Sequence, residues 1–230
     1  MNAVLYYSCT GNGKKVASEL AERIGFEIFE LTDKTQNDIL RLSFSTAVIV
    51  FPVHCQSYPR FMKNFFEGLN ADRVALVATY GRINPGNAFF EAARLLKPVT
   101  VAALYLPASH SYLRESYEPP EIPESFIAKL STDIPAKIER RGKTPFAGCL
   151  PSVRSRIIIK IKRLDKCAGC NVCGDNCTVK AIECGKTNAR CVRCLKCVYN
   201  CPHGALAVKK SRALNNYLKR AKHDNIILYI

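Results

Sequence analysis

Several absences bound what this 230-residue chain can be. No apolar run approaches the roughly 20 residues of a membrane-spanning helix, so no membrane span is expected. Met1 leads straight into an apolar, strand-like run, without a basic segment or a small-residue cleavage site. No signal peptide is therefore expected, and the implied compartment is the cytoplasm. No G-x-G-x-x-G follows a strand pattern, which leaves a nicotinamide-binding Rossmann domain unsupported. No nucleic-acid recognition module is recognisable, so nucleic acid is not an expected partner. Acidic residues are scarce in one part only. Residues 1–142 hold 16 Lys/Arg against 15 Asp/Glu, whereas residues 143–230 hold 18 against 4. Most of the formal net charge of +15 thus sits in the C-terminal part. Such a field would steer an acidic partner.

Cysteine, by contrast, is abundant, at 12 residues. With nothing marking the chain as secreted, these thiols read as metal ligands rather than a disulfide framework. Two copies of C-x₂-C-x₂-C-x₃-C occur, at Cys167, Cys170, Cys173, Cys177 and at Cys191, Cys194, Cys197, Cys201, the second closed by Pro202. Zinc also takes C-x₂-C pairs, but usually two pairs across a longer spacer; here a third thiol follows each pair after two residues. That spacing is the known signature of bacterial ferredoxins with two 4Fe–4S clusters. Three thiolates wrap one corner of a cubane and the fourth reaches the other cluster. The expected ligand sets are Cys167, Cys170, Cys173 with Cys201, and Cys191, Cys194, Cys197 with Cys177. The copies repeat with a period of 24 residues: Asn176 maps onto Asn200, Ala181 onto Ala205 and Ile182 onto Leu206. Each copy should form a ligand loop, a short helical turn and a short strand. Cys184 aligns with Val208, so it is expected as a small buried strand residue and not a ligand.

The N-terminal part alternates apolar strand-like runs with helical patterns, as a doubly wound parallel α/β sheet does. Strands are expected over 2–8, 26–31, 46–53, 73–79 and 99–106. Helices are expected over 14–24, 61–69, 88–96 and 124–141, the last interrupted by Pro135. The first strand runs into Ser8, Cys9, Thr10, Gly11, Asn12 and Gly13 and then a helix, a combination that makes an anion site.

The run Tyr7-Ser8-Cys9-Thr10-Gly11-Asn12 resembles the phosphate loop of flavodoxins. Ahead of the cysteine repeat, it makes nearly the whole chain similar to the single-chain flavodoxin–ferredoxin fusion proteins of anaerobic bacteria and archaea. That resemblance implies FMN at the sheet's switch point and two 4Fe–4S clusters behind it. Pro52, Val53 and His54 resemble the second flavin loop of those proteins, and Thr79, Tyr80 and Gly81 the third, with Tyr80 a candidate ring contact. There are departures. Cys9 stands where the fusions often carry Gly, and Gly13 replaces a Thr whose hydroxyl would bind phosphate. Cys55 and Gln56 replace loop glycines, although a β-carbon disfavours positive φ.

The expected architecture is a flavodoxin-like FMN domain (1–142), a linker (143–157) that includes Cys149, a small α+β ferredoxin-type domain (158–211) and a C-terminal tail (212–230). Residues 156–163 are expected as a strand or linker segment packed on the fold. The expected function is soluble electron transfer between FMN, two clusters and an external acidic redox protein. The alternative is a flavin-dependent reductase acting on a small acceptor with ferredoxin-type electron supply.

Overall fold

The computed structural model describes residues 1–113, 115, 117–142, 151–220 and 222–230, with the side chains of 151–154 excepted. In chain order the elements are β1 (Asn2–Tyr6), α1 (Asn12–Ile24), β2 (Glu27–Glu30), α2 (Gln36–Ile39), β3 (Phe44–Pro52), a 3₁₀ turn (Arg60–Met62), α3 (Lys63–Gly68), β4 (Ala71–Tyr80), α4 (Ala88–Ala93), β5 (Val99–Pro107) and α5 (Glu124–Lys129). There follow α6 (Pro151–Ile158), β6 (Ile159–Arg163), α7 (Val172–Asp175), β7 (Ile182–Glu183), β8 (Lys186–Thr187), α8 (Lys196–Tyr199), β9 (Leu206–Lys210), α9 (Arg212–Leu218) and β10 (Ile227–Tyr229). The chain divides into two compact units. Unit 1 comprises 1–148 and 222–230, and unit 2 comprises 149–221.

Unit 1 is built on a six-stranded sheet in the order β2-β1-β3-β4-β5-β10. The first five strands are parallel and β10 is antiparallel. Strands β1, β3, β4 and β5 are near-continuous apolar runs because helices cover both faces. On one face Val4, Val48, Val50, Ala75 and Val77 pack with Val16 and Leu20 of α1 and Phe126 of α5. On the other, Phe51 meets Phe66 and Phe89 edge-on at 5.7 and 6.0 Å. α1 ends at Gly25, whose left-handed backbone (φ 66°) lets its amide return to the Ala21 carbonyl. The 2-1-3-4-5 order fits a flavodoxin-like fold, and its switch point lies between β1 and β3.

The structure corrects four expectations. The closing helix stops at Lys129 instead of running to Arg141. Pro135 has no amide and disfavours helix at the residue before it, and Ala136 donates instead to the Thr100 carbonyl of β5 at 2.9 Å. Residues 156–163 are not one extended segment, since α6 runs through Ile158 before β6 begins. Residues 212–230 are not a tail: α9 belongs to unit 2, and β10 pairs Ile227 with Tyr105 and Tyr229 with Ala103 in unit 1. Cys184 is not in a strand; it sits in the tight turn between β7 and β8 with φ 42°. The linker residues 143–150, including Cys149, lie outside the described residues.

Unit 2 repeats itself in geometry as well as in sequence. α7 and α8 start and stop 24 residues apart. Left-handed backbone recurs at Gly169 and Arg193, at Asn171 and Leu195, and at Lys180 and Gly204. Strand pairing is crossed. β6, before the first loop, pairs with β9 after the second, while β8, before the second, pairs with β7 after the first. One buried apolar cluster here centres on Ile182, Cys197 and Leu206.

Candidate functional site

Parallel strands bring the loops after β1, β3, β4 and β5 to one edge of the unit 1 sheet. In the first loop Ser8 is buried and its Oγ accepts from the Gly11 amide at 3.1 Å. Gly11 (φ 98°) caps α1 without a side-chain bond, and no acidic residue stands in the first helical turn. The first amides of a helix have no intrahelical acceptor, and the dipole adds positive potential, so this end suits an anion. Gly13 has a packing reason: a β-carbon there would lie 3.2 Å from the Tyr7 carbonyl and 3.5 Å from Ser8 Oγ. A Thr at 13 would have to push the cradle open. Thr10 is exposed. The Cys9 thiol is turned inward and donates to the Tyr7 hydroxyl at 2.7 Å.

The loop after β3 is a tight turn. His54 and Ser57 exchange backbone bonds of 2.8 and 3.1 Å around Cys55 (φ 52°) and Gln56 (φ 61°). Both residues accept the positive φ that their β-carbons disfavour. Val53 is held by the Thr79 carbonyl at 2.8 Å, and the Gln56 carbonyl accepts from Asn87 at 3.0 Å. Pro52, Val53, His54 and the buried Thr79 thus belong to one tied rim. Gly81 lies under the His110 ring. Tyr80 does not reach that rim as a ring contact. It is buried, packs edge-on to Tyr105 at 6.3 Å and gives its hydroxyl to the Asn225 carbonyl at 2.7 Å. Burial pushes its phenol above the ordinary value, with Tyr117 and Asp224 adding to the effect.

A fourth loop, after β5, supplies residues that the sequence reading did not include. Asn12 Nδ2 donates to the carbonyl and Oγ of Ser109 at 3.2 and 3.1 Å, tying the first loop to the fourth. Glu115, from the same loop, joins Lys222 and Arg82, and Arg82 Nε meets Asp224 at 2.5 Å. Arg82 also lies 4.1 Å over the Tyr117 ring. The C-terminal return is therefore clasped to the loop that follows Gly81. Burial alone would raise the Glu115 carboxyl. The hydrogen bond from Lys222, with help from His110 and Arg82, brings it below the ordinary value.

In unit 2, one cavity is lined by Cys167, Cys170, Cys173 and Cys201 together with Pro202, His203 and Leu206. Cys177 and the second loop's first three cysteines are not in that lining. Burial, then Cys194, Cys191, Cys177 and Cys173, push the Cys197 thiol up to about 12. A thiolate forms there only with a cationic partner. Ala181 donates to Cys177 Sγ and Ala205 to Cys201 Sγ, each at 3.3 Å. Among the described residues no three His, Cys, Asp or Glu stand close enough to hold a single ion. Ligands of a cubane bind separate irons and stand further apart than ligands of one ion. Cys184 also lines the cavity of the first loop; its amide donates to Asn171 Oδ1 at 2.9 Å and its thiol to the Gly169 carbonyl at 3.5 Å. Its nearness to that cavity was hidden by its alignment with an apolar strand position.

No protein-family profile matches the chain, and no curated protein does. Solved structures share partial likeness. A candidate flavoprotein from Bacteroides uniformis ATCC 8492 is 18% identical over 47% of this chain and 91% of its own, with a TM-score of 0.36. One from Bacteroides eggerthii DSM 20697 is 17% identical over 43% and 84%, at 0.34. Trp repressor binding protein from Bacillus subtilis is 14% identical over 48% and 84%, at 0.32. At these TM-scores the likeness carries no weight for fold or cofactor. Strand order and loop geometry of this chain carry the fold. Among the described residues no helix is long and apolar enough to cross a membrane.

Proposed function

We propose that this chain is an electron-transfer flavo-iron–sulfur protein, holding FMN at the β1/β3 rim of unit 1 and two 4Fe–4S clusters in unit 2. The observation that carries the reading is the repeat of unit 2. Its ligand loops share helix boundaries, backbone signs and the Ala N–H to Cys Sγ bonds, and Cys201 joins the cavity of Cys167, Cys170 and Cys173. An all-thiol donor set of eight fits two clusters and no common hard cation. For the flavin, the uncapped start of α1 and the Ser8–Gly13 cradle fit one phosphate, and among the described residues no second dinucleotide half accompanies it.

When bound, the clusters each carry one electron and the flavin one or two. The chain's own part is to hold and tune them. The two alanine amides donate to ligand sulfurs, which stabilises added negative charge. Ile182 and Leu206 lie between the loops and keep water from the inner thiols. Unit 2 carries 16 Lys/Arg against 3 Asp/Glu, more than two anionic clusters neutralise, which supports an acidic redox protein as the partner.

The test is anaerobic purification or reconstitution, followed by iron, sulfide and flavin analysis. Eight iron, eight sulfide and one FMN per chain are expected. Zinc in place of iron, or FAD in place of FMN, would refute the reading.

A further inference from the structure

Arg193 stands between two ligands of the second loop, in the run Cys191-Val192-Arg193-Cys194. Its backbone is left-handed, with φ 59°, and the equivalent position of the first loop is Gly169, with φ 72°. Glycine adopts that conformation freely and arginine does not, so the loop gains nothing in backbone terms from an arginine here. The side chain is the distinguishing part. Arg193 is only 8% exposed. Its backbone amide and guanidinium both face the Cys191 thiol. Nε and Nη1 are buried and meet no acceptor among the described residues.

A guanidinium stays charged at any working pH and offers a planar fork of donors. Buried without an anion it is strongly unfavourable. Among the described residues no carboxylate pairs with it. An anion fitted between Cys191, Cys194, Cys197 and Cys177 would satisfy both the charge and the orphaned donors. A 4Fe–4S cluster with four thiolates is such an anion, and its negative charge grows by one on reduction.

We propose that Arg193 donates Nε and Nη1 to the cluster of the second loop and holds its reduction potential up. This rests on the cluster assignment above. A fixed buried cation favours the more negative, reduced state, and hydrogen bonds to cluster sulfur act in the same direction. The first loop has Gly169 in this place and no such donor, so the two clusters differ despite their near-identical frames.

The experiment is a redox titration of the full-length holoprotein, followed by electron paramagnetic resonance, comparing wild type with Arg193→Gly. Glycine is the residue that the equivalent position already carries, so the loop should fold. One of the two reduction steps should fall at least tenfold in its reduced-to-oxidised ratio at fixed potential, which corresponds to about 59 mV for one electron. The other step should stay in place. The shift should be the same at pH 6 and pH 9, because arginine does not titrate there. A shift that disappears as pH rises would not belong to an arginine and would overturn the proposal. So would two unmoved steps in a variant that retains eight iron. Should Arg193→Gly fail to hold both clusters, Arg193→Lys carries the test, since it keeps the charge and loses the fork. The affected step should fall as well, by less than in Arg193→Gly because the charge is kept, and an unchanged one would count against donation by Nε and Nη1. Wild-type protein that binds no cluster would refute the cluster assignment, a separate result.

Discussion

Replacing Cys55 tests the turn that follows β3 and ties the rim of unit 1. Cys55 and Gln56 occupy the two central positions of a hairpin-like turn, with φ 52° and 61°. Turns with two positive φ values favour Asn and Gly, because other side chains clash with their own backbone there. The left-handed conformation costs roughly 1–2 kcal/mol for an ordinary L-residue. Asparagine avoids part of that cost through local hydrogen bonding, whereas a β-branched residue meets it in full. Cys55→Asn should therefore be at least as stable as wild type, and Cys55→Val should fall below Cys55→Asn by about 1–3 kcal/mol. For a unit of this size each kcal/mol moves Tm by about 2–4 °C. Differential scanning calorimetry of the cofactor-free chain would resolve a gap of about 2 °C or more between the variants. Equal stabilities for Val and Asn at this position would refute the backbone reasoning, because only φ separates them strongly.

Three further outcomes are expected. Cys201→Ser should cost the cluster of the first loop, leaving about half the iron, while Cys177→Ser should cost the other; iron analysis checks both, and Cys184→Ala tests whether the extra thiol beside the first cavity is needed. Because unit 2 is small and folds its loops around eight thiols, removing its metal with a chelator should unfold it and expose it to protease while unit 1 stays folded. Glu115 has a folded pKa below its ordinary value of about 4.3, so its contribution to the clasp is present above that value and is lost as pH falls through the lower folded one. Glu115→Gln should loosen residues 222–230 to hydrogen exchange at neutral pH, and wild type should come to match the variant once pH has fallen through the lowered folded value.

Unit 1 was legible where its residues had one reason to be apolar. β1, β3, β4 and β5 are buried on both faces, and their runs were located to within a few residues. Helix ends were harder. Pro135 marks an interruption, but nothing local says that the helix stops already at Lys129 or that the Ala136 amide finds the Thr100 carbonyl. Tyr80 shows the same limit at the site. Its position after β4 is right, but the direction of its ring depends on Asn225, 145 residues away. The cysteine spacing announced the frame of unit 2, and the crossed strand pairs agree with the 24-residue repeat. Cys184 was misread because the repeat breaks after Glu183, where β7 turns back into β8 and β9 runs on. Arg193 escaped notice since only burial and missing acceptors distinguish it from a solvated surface arginine.

The antiparallel pairing of β10 with β5 also sets an order of events during synthesis. β5 emerges early, yet the strand that covers its edge lies beyond all of unit 2. At about 5–20 residues per second, that edge stays open for roughly 4–15 s while residues 149–221 are made. An uncovered apolar edge strand is a template for pairing with other chains. The nascent protein therefore passes through a stage in which its larger unit is nearly complete and adhesive. Slow emergence or slow folding of unit 2 would lengthen that stage. Starved of iron, the chain should be lost to aggregation through the exposed side of β5, a surface that plays no part in holding metal.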